Sequence, residues 1–163
     1  MNSTLTAIFF SAISLLFIVL QSTLLAPIKI GSFSPDLNLI LIIVIAMLSD
    51  VKAGSIFALG NGYLMDVLSG GLMGVNTLSR LSIYAAIRGT TNNVYYQQTP
   101  VVLIVIFFGT VFSWFFIWVV IKINSGIDFS VSLNVILKQG AINTLIGLPL
   151  YLMIKKIHER IQE

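Results

Sequence analysis

The residues that could do chemistry in this chain centre on Asp66, which lies in a glycine-rich run from Gly60 to Gly74. This run is part of an apolar segment of membrane length. A carboxylate at the centre of a bilayer costs about 2.5–3.5 kcal/mol on insertion scales, so such a residue indicates a function or a specific structural contact. Glycines beside it remove side-chain bulk where helices or a turn must pack closely. We therefore expect a glycine-lined surface around Asp66.

Catalysis is disfavoured by the residues that accompany Asp66. A carboxylate dyad with Asp128, as in membrane aspartyl proteases, is one conceivable acid–base arrangement. The glycine-x-glycine-aspartate pattern of intramembrane enzymes fails, however, because Met65 precedes Asp66. His158 is the only histidine and there is no cysteine, which removes zinc-protease and thiolate chemistry. The sequence predicts no catalytic residue, no metal site and no cofactor.

The composition indicates an integral membrane protein. Of the 163 residues, 57% are hydrophobic and 9% are charged, and the mean hydropathy is +1.00. Soluble domains carry about 25% charged residues, so this chain could not cover a surface that faces water. The net charge of +3 fits the excess of lysine and arginine at cytoplasmic membrane edges. Because no basic stripe alternates with aromatic residues, binding to nucleic acid is not expected.

Hydropathy and helix-breaking residues predict an all-α, polytopic fold with six transmembrane helices in one domain, residues 1–163. A crossing needs about 20 residues, so the length allows no more than about six. The predicted helices cover residues 7–26, 37–48, 53–68, 72–87, 100–123 and 131–154. The second helix is short for a full crossing unless Asp36 and Asp50 lie in the headgroup layers. Asp36 also suits the positive end of this helix dipole.

The third helix carries small residues at a spacing of four, and they share one face with the carboxylate. That face consists of Gly54, Ala58, Gly62 and Asp66. A groove of small residues allows close helix packing, so the face either binds the helix of a partner or packs inside this chain. Both interpretations remain open.

A turn at Gly70, Gly71 and Gly74 is predicted to follow the third helix. If the third and fourth helices form a tight hairpin there, Asp66 and Arg80 are candidates for a structural ion pair. Pairing would reduce the cost of both charges in lipid. The alternative structural role for Asp66 is that of a helix cap.

The distribution of basic residues predicts that both termini are cytoplasmic. With six crossings, the inner edges hold Lys52, Arg88, Lys155, Lys156 and Arg160, and the outer edges hold Lys29, Lys122 and Lys138. The basic segment near the C-terminus is a solvated anchor or a contact for lipid headgroups.

The order of these features resembles the rod shape-determining protein MreD family of bacteria. The resemblance rests on Pro35-x-Leu37, on Gly54, and on Gly60-x-Gly62-Tyr63-Leu64-x-Asp66-x-Leu68-Ser69-Gly70 followed by Gly74. Length and hydropathy extend it over nearly the whole chain. The sequence departs from the family pattern at Asn61, where an aromatic residue is common, and at Tyr63, which replaces a small residue.

The resemblance implies a non-enzymatic subunit of the bacterial inner membrane that belongs to the cell-elongation machinery, the elongasome. It implies binding to the scaffold protein MreC and, through MreC, to the actin-like MreB filament and the peptidoglycan synthases RodA and PBP2. It also implies a bundle similar to the S components of energy-coupling-factor transporters. On this basis Gly54, Ala58 and Gly62 are expected to line a groove for the membrane helix of MreC.

A second hypothesis is a substrate-binding S component of a vitamin transporter. Asn61, Tyr63 and Asn76 would then be polar points inside an apolar pocket. Such subunits usually cover their ligand with long outer loops, whereas the one sizeable polar loop here, residues 89–99, is predicted to lie inside. Co-purification separates the two hypotheses, since one predicts MreC and the other predicts ATPase subunits.

Overall fold

The computed structural model describes residues 3–23, 35–48, 51–69, 72–90, 98–126 and 131–162. These residues form six helices: α1 (Ser3–Thr23), α2 (Leu37–Leu48), α3 (Val51–Ser69), α4 (Val75–Thr90), α5 (Thr99–Ser125) and α6 (Leu133–Gln162). The predicted all-α class is confirmed, and each predicted helix has a counterpart. The largest difference is at the end of α6, which continues from the predicted end at residue 154 to Gln162.

The long apolar helix α5 begins and ends at residues that suit helix termini. A proline lies in its first turn, where a missing N–H costs nothing and the fixed φ suits a helix. Gly126 follows its last residue with φ 64°, and the Gly126 N–H donates to the Lys122 carbonyl. This left-handed conformation is the usual way for a glycine to end a helix.

The helices α5 and α6 form an antiparallel pair held by polar contacts. Trp114 Nε1 donates to Gln139 Oε1 at 2.7 Å, and Asn143 Nδ2 donates to Thr110 Oγ1 at 3.1 Å. The two helices approach closely at Gly140, where a Cβ atom would lie 2.9 Å from the Phe107 ring. A second close approach occurs at Gly147, where a Cβ atom would lie 2.8 Å from Ile106 of α5. This pair therefore depends on two small residues and on matched polar groups.

The other helices continue the alternation of direction. Ser79 of α4 lies beside Ser113 of α5, with 3.1 Å between the two hydroxyl oxygens, and later residues of α4 lie beside earlier residues of α5. At the far end of α4, Arg88 Nη1 donates to the Ala46 carbonyl near the end of α2. Because α4 meets the start of α2 at Arg80 and Asp36, these two helices are parallel.

Helices α1 and α3 also run parallel to each other. Their rings Phe10 and Phe57 lie 6.3 Å apart, and one turn later Asn61 donates to Ser14. Asn61 donates in addition to Asn38, near the start of α2. Because Asp66 near the end of α3 binds the start of α4, and α4 is parallel to α2, α3 is antiparallel to α2. Thus α1, α3 and α5 point in one direction and α2, α4 and α6 in the other.

The centre of the bundle is α2, which contacts each of the five other helices. Every residue from Leu37 to Met47 is buried, as expected for a helix that is apolar on all sides. Its 12 residues cover about 18 Å, well short of a hydrocarbon layer of about 30 Å. The N–H of Asp36, the residue before α2, donates to Asn143 Oδ1, and Asn143 lies near the middle of the apolar part of α6. Asp36 therefore lies at mid-height in the bundle, level with the middle of the apolar part of α6.

Two helices in the described ranges are long and apolar enough to cross a membrane by themselves. They are α5, over Thr99–Asn124, and α6, over Leu133–Ile157. Shorter apolar stretches occupy Phe10–Gln21 and Leu37–Leu48. The described residues thus contain the six predicted helices, and two of these are long and apolar enough to cross a membrane.

Candidate functional site

The carboxylate of Asp66 binds the first turn of α4. Its Oδ2 accepts hydrogen bonds from the Gly74 N–H at 2.9 Å, the Thr77 N–H at 3.0 Å and the Thr77 hydroxyl at 2.6 Å. Its Oδ1 accepts one from the Asn76 N–H at 2.8 Å. An ionised carboxylate is an acceptor only, and all four contacts use it in that way.

These contacts explain why a carboxylate occurs at this position. The first N–H groups of a helix have no partner within the helix, and the helix dipole favours a negative charge there. Asp66 belongs to α3, and its side chain is 1% exposed. Because its partners are at the start of α4, its hydrogen bonds join the end of α3 to that helix. Gly74 completes the turn with φ 93°, a conformation that side chains disfavour. The predicted turn residues Gly70 and Gly71 lie outside the described residues.

The ion pair predicted between Asp66 and Arg80 is corrected by this arrangement. Arg80 Nη2 instead donates to Asp36 Oδ2 at 2.6 Å, while Asp66 binds the start of α4. The reason is that the unpaired N–H groups at that helix start are nearer hydrogen-bond donors to the Asp66 carboxylate than a side chain one turn further along. Asp36 also caps α2, since its Oδ1 accepts from the Leu39 N–H at 2.9 Å. Its predicted place at the positive end of α2 is confirmed.

The small-residue face of α3 is buried inside the protein. Gly54 and Gly62 are buried, and Ala58 is 0% exposed. A Cβ atom at Gly62 would lie 2.5 Å from Thr77 Cα and 2.9 Å from Thr77 N. Gly62 therefore allows the backbones of α3 and α4 to touch. The expectation that this face receives the helix of a partner is corrected in favour of internal packing, the other interpretation left open by the sequence.

A second polar cluster lies near the start of α2, between α1, α2 and α3. Asn61 Nδ2 donates to Ser14 Oγ at 2.5 Å and to Asn38 Oδ1 at 3.1 Å. Asn38 Nδ2 donates in turn to Gln21 Oε1 at 3.3 Å. The cluster joins α1, α2 and α3 in the interior, where an unpaired polar group would be costly. This cluster was not predicted from the sequence, although asparagines inside apolar helices are the signal that could have indicated it.

An apolar groove lies on the surface between α4 and α5. Its volume is about 350 Å³. Ala86 and Thr90 line its α4 side, and the α5 side includes Gly109 and Phe108, the latter 63% exposed. No sequence motif indicates this groove, because it arises from the way α4 packs against α5.

Nearly the whole chain is similar to one protein family. A family model described as rod shape-determining protein MreD matches residues 1–160. The chain belongs to the MreD family. No curated protein and no solved structure shows a significant match. The resemblance deduced from the Gly60–Gly74 run is thereby confirmed.

MreD membership identifies the chain as a rod shape-determining membrane protein, and the apolar helices α5 and α6 agree with this. The polar residues suggested for an S-component pocket are dispersed in this MreD chain. Asn61 is 3% exposed and bound to other helices, Tyr63 is 59% exposed, and the Asn76 N–H binds Asp66. Within the described ranges there is also no group of three or more histidine, cysteine or acidic residues that could hold a metal ion.

Proposed function

We propose that this MreD-family chain is a non-enzymatic subunit of the cell-elongation machinery that binds MreC and helps organise peptidoglycan synthesis. The observation that carries the proposal is the family match over residues 1–160. Through MreC the subunit would be connected to MreB, RodA and PBP2. The main charged and polar groups of the interior support this role, because Asp66, Asp36 and Arg80 serve to join helices.

We further propose that all six helices form one bundle in the plasma (inner) membrane with both termini in the cytoplasm. The alternating helix directions support this arrangement, since α4 and α6 end on the same side. The basic residues of those ends are Arg88, Lys155, Lys156 and Arg160. Such a concentration favours the cytoplasmic side. The start of α1 lies on that side too, because α1 is parallel to α3.

The groove between α4 and α5 is the surface that we propose for the membrane helix of MreC. The face of Gly54, Ala58 and Gly62 is covered, whereas this groove is open and apolar. The small, exposed Ala86 leaves room for a close approach, the feature that drives helix association in lipid. Exposed aromatic rings such as Phe108 add contact area at the rim.

A matched pair of substitutions tests the groove. Ala86→Leu places a larger side chain inside it, while Ala85→Leu makes the same change at the neighbouring exposed residue, which does not line the groove. Tagged proteins would be purified from native membranes in mild detergent, and MreC recovery would be measured relative to bait. We expect Ala86→Leu to reduce recovery severalfold and Ala85→Leu to leave it unchanged. Equal recovery with both variants would contradict the proposed groove.

Mass spectrometry of the same wild-type purification tests the function itself. Recovery of MreC together with RodA or PBP2 is the expected result. Recovery of ATPase and coupling subunits without MreC would instead favour the vitamin-transporter hypothesis. Because this measurement uses the unaltered chain, it is independent of where MreC binds.

A further inference from the structure

The guanidinium of Arg80 is buried with most of its hydrogen-bonding capacity unused. The side chain is 3% exposed, and its Nη2 binds Asp36. Its Nε and Nη1 atoms are buried and have no hydrogen-bond partner among the residues that the structure describes. Three N–H groups are therefore without an acceptor, and an orphaned buried donor costs about 1–3 kcal/mol. Native proteins rarely leave such groups empty, so an acceptor absent from the protein chain is indicated.

The surroundings of Arg80 are polar and lie at mid-height. Asn143 accepts from the Asp36 N–H at 3.0 Å and donates to Thr110, which is about midway along α5. Ser79 precedes Arg80 and lies beside Ser113 of α5. Buried water requires about two to four polar partners, and this layer contains hydroxyl, amide and carboxylate groups in addition to the guanidinium.

The charge balance decides what the acceptor can be. Arg80 and Asp36 neutralise each other, so an added anion would leave a net negative charge in a region of low dielectric. Water has no charge, accepts hydrogen bonds from N–H groups and can donate to the nearby oxygens. The Asp36 side chain is 18% exposed, so it gives this otherwise enclosed layer a contact with the surface.

We propose that Nε and Nη1 of Arg80 form a hydration site inside the helix bundle, at the level where α2 begins. Water there completes the hydrogen bonding of the buried ion pair. The site is distinct from the groove between α4 and α5 and does not depend on the binding of MreC.

Hydroxyl-radical footprinting of the full chain in lipid nanodiscs tests this site. X-ray pulses generate radicals from bound as well as bulk water, and a tyrosine beside a bound water is oxidised even when it is buried. Tyr84 lies one helical turn after Arg80, about 5–6 Å away between Cβ atoms, and is 2% exposed. Tyr151 is also 2% exposed and serves as a matched control. We expect Tyr84 to be oxidised severalfold faster than Tyr151.

The variant Arg80→Lys separates hydration from burial. Lysine retains the charge for Asp36 but lacks the Nε and Nη1 groups, so oxidation of Tyr84 should fall toward the rate of Tyr151. Equal rates for the two tyrosines in the wild-type chain would overturn the proposal, even if the variant does not fold. An unchanged Tyr84 rate in a folded Arg80→Lys protein would overturn it as well.

Discussion

Replacing Asp66 with asparagine isolates the contribution of the cap between α3 and α4. Oδ2 accepts three of the four hydrogen bonds and Oδ1 accepts the bond from the Asn76 N–H. An amide has a single acceptor oxygen. Its best placement keeps the Oδ2 contacts and turns the NH₂ group toward the Asn76 N–H, so one bond is lost and two donors face each other.

The expected loss follows from these contacts. A hydrogen bond to a charged group contributes about 1.5–3 kcal/mol, and a buried unpaired donor costs about 1–3 kcal/mol. Because such terms are not additive, we expect Asp66→Asn to lower the free energy of unfolding by about 2–4 kcal/mol. In a chain of this size, this corresponds to a fall in Tm of roughly 4–16 °C.

Thermal unfolding of the detergent-solubilised protein, followed by tryptophan fluorescence, measures this loss. Thr77→Val removes the hydroxyl contact alone and should give a smaller fall, of about 1–2 kcal/mol. Glu159→Gln is the matched control, since it makes the same change of acid to amide at a side chain that is 62% exposed. A Tm for Asp66→Asn equal to that of Glu159→Gln would refute the reasoning.

Three further predictions concern backbone contact, charge pairing and turn conformation. Gly62→Ala should abolish recovery of monodisperse protein, because its Cβ would meet the Thr77 backbone. Gly60→Ala should be tolerated, because a Cβ there has no atom within 4 Å. Similar gel-filtration profiles for the two variants would contradict this prediction. Arg80→Met should lower the free energy of unfolding by about 3–5 kcal/mol, because it leaves the Asp36 carboxylate without its partner. In thermal unfolding, the double variant Arg80→Met/Asp36→Asn should lose about 0.5–3 kcal/mol less than the sum of the two single variants. A loss equal to that sum would argue against the ion pair. Gly74→Ala should lower Tm through about 1–2 kcal/mol of left-handed strain, and an unchanged Tm would contradict the φ of 93°.

The helices were predictable from sequence because hydropathy and helix breakers act locally. The end of α6 was predicted too early, because hydropathy falls after residue 154 while the polar residues that follow remain helical. Asp36 was placed correctly because a cap depends on residues three positions apart. The burial of α2 agrees with its apolar sequence, but its contacts with all five other helices depend on how distant segments pack and could not be predicted from α2 alone.

The role of Asp66 was predictable in type but not in partner. Its cost in lipid required a specific contact, and a helix cap was one of the roles considered. Whether that contact was Arg80 or the start of α4 depended on the rotation of α4 about its own axis, which no periodicity within α3 can reveal. Likewise, a stripe of small residues at Gly54, Ala58 and Gly62 indicates close packing without identifying the helix that packs there.

The contact between the Asp36 N–H and Asn143 Oδ1 joins residues 107 positions apart. At synthesis rates of about 5–20 residues per second, the acceptor emerges about 5–20 s after the donor. During that interval the central helix has been made, but the amide before it lacks its native partner. α2 can therefore reach its final environment only when α6 has arrived. The contacts at the centre of this bundle are therefore completed only after the last helix has been made. A delay in the insertion of α6 would leave the start of α2 without its native hydrogen-bond partner for longer.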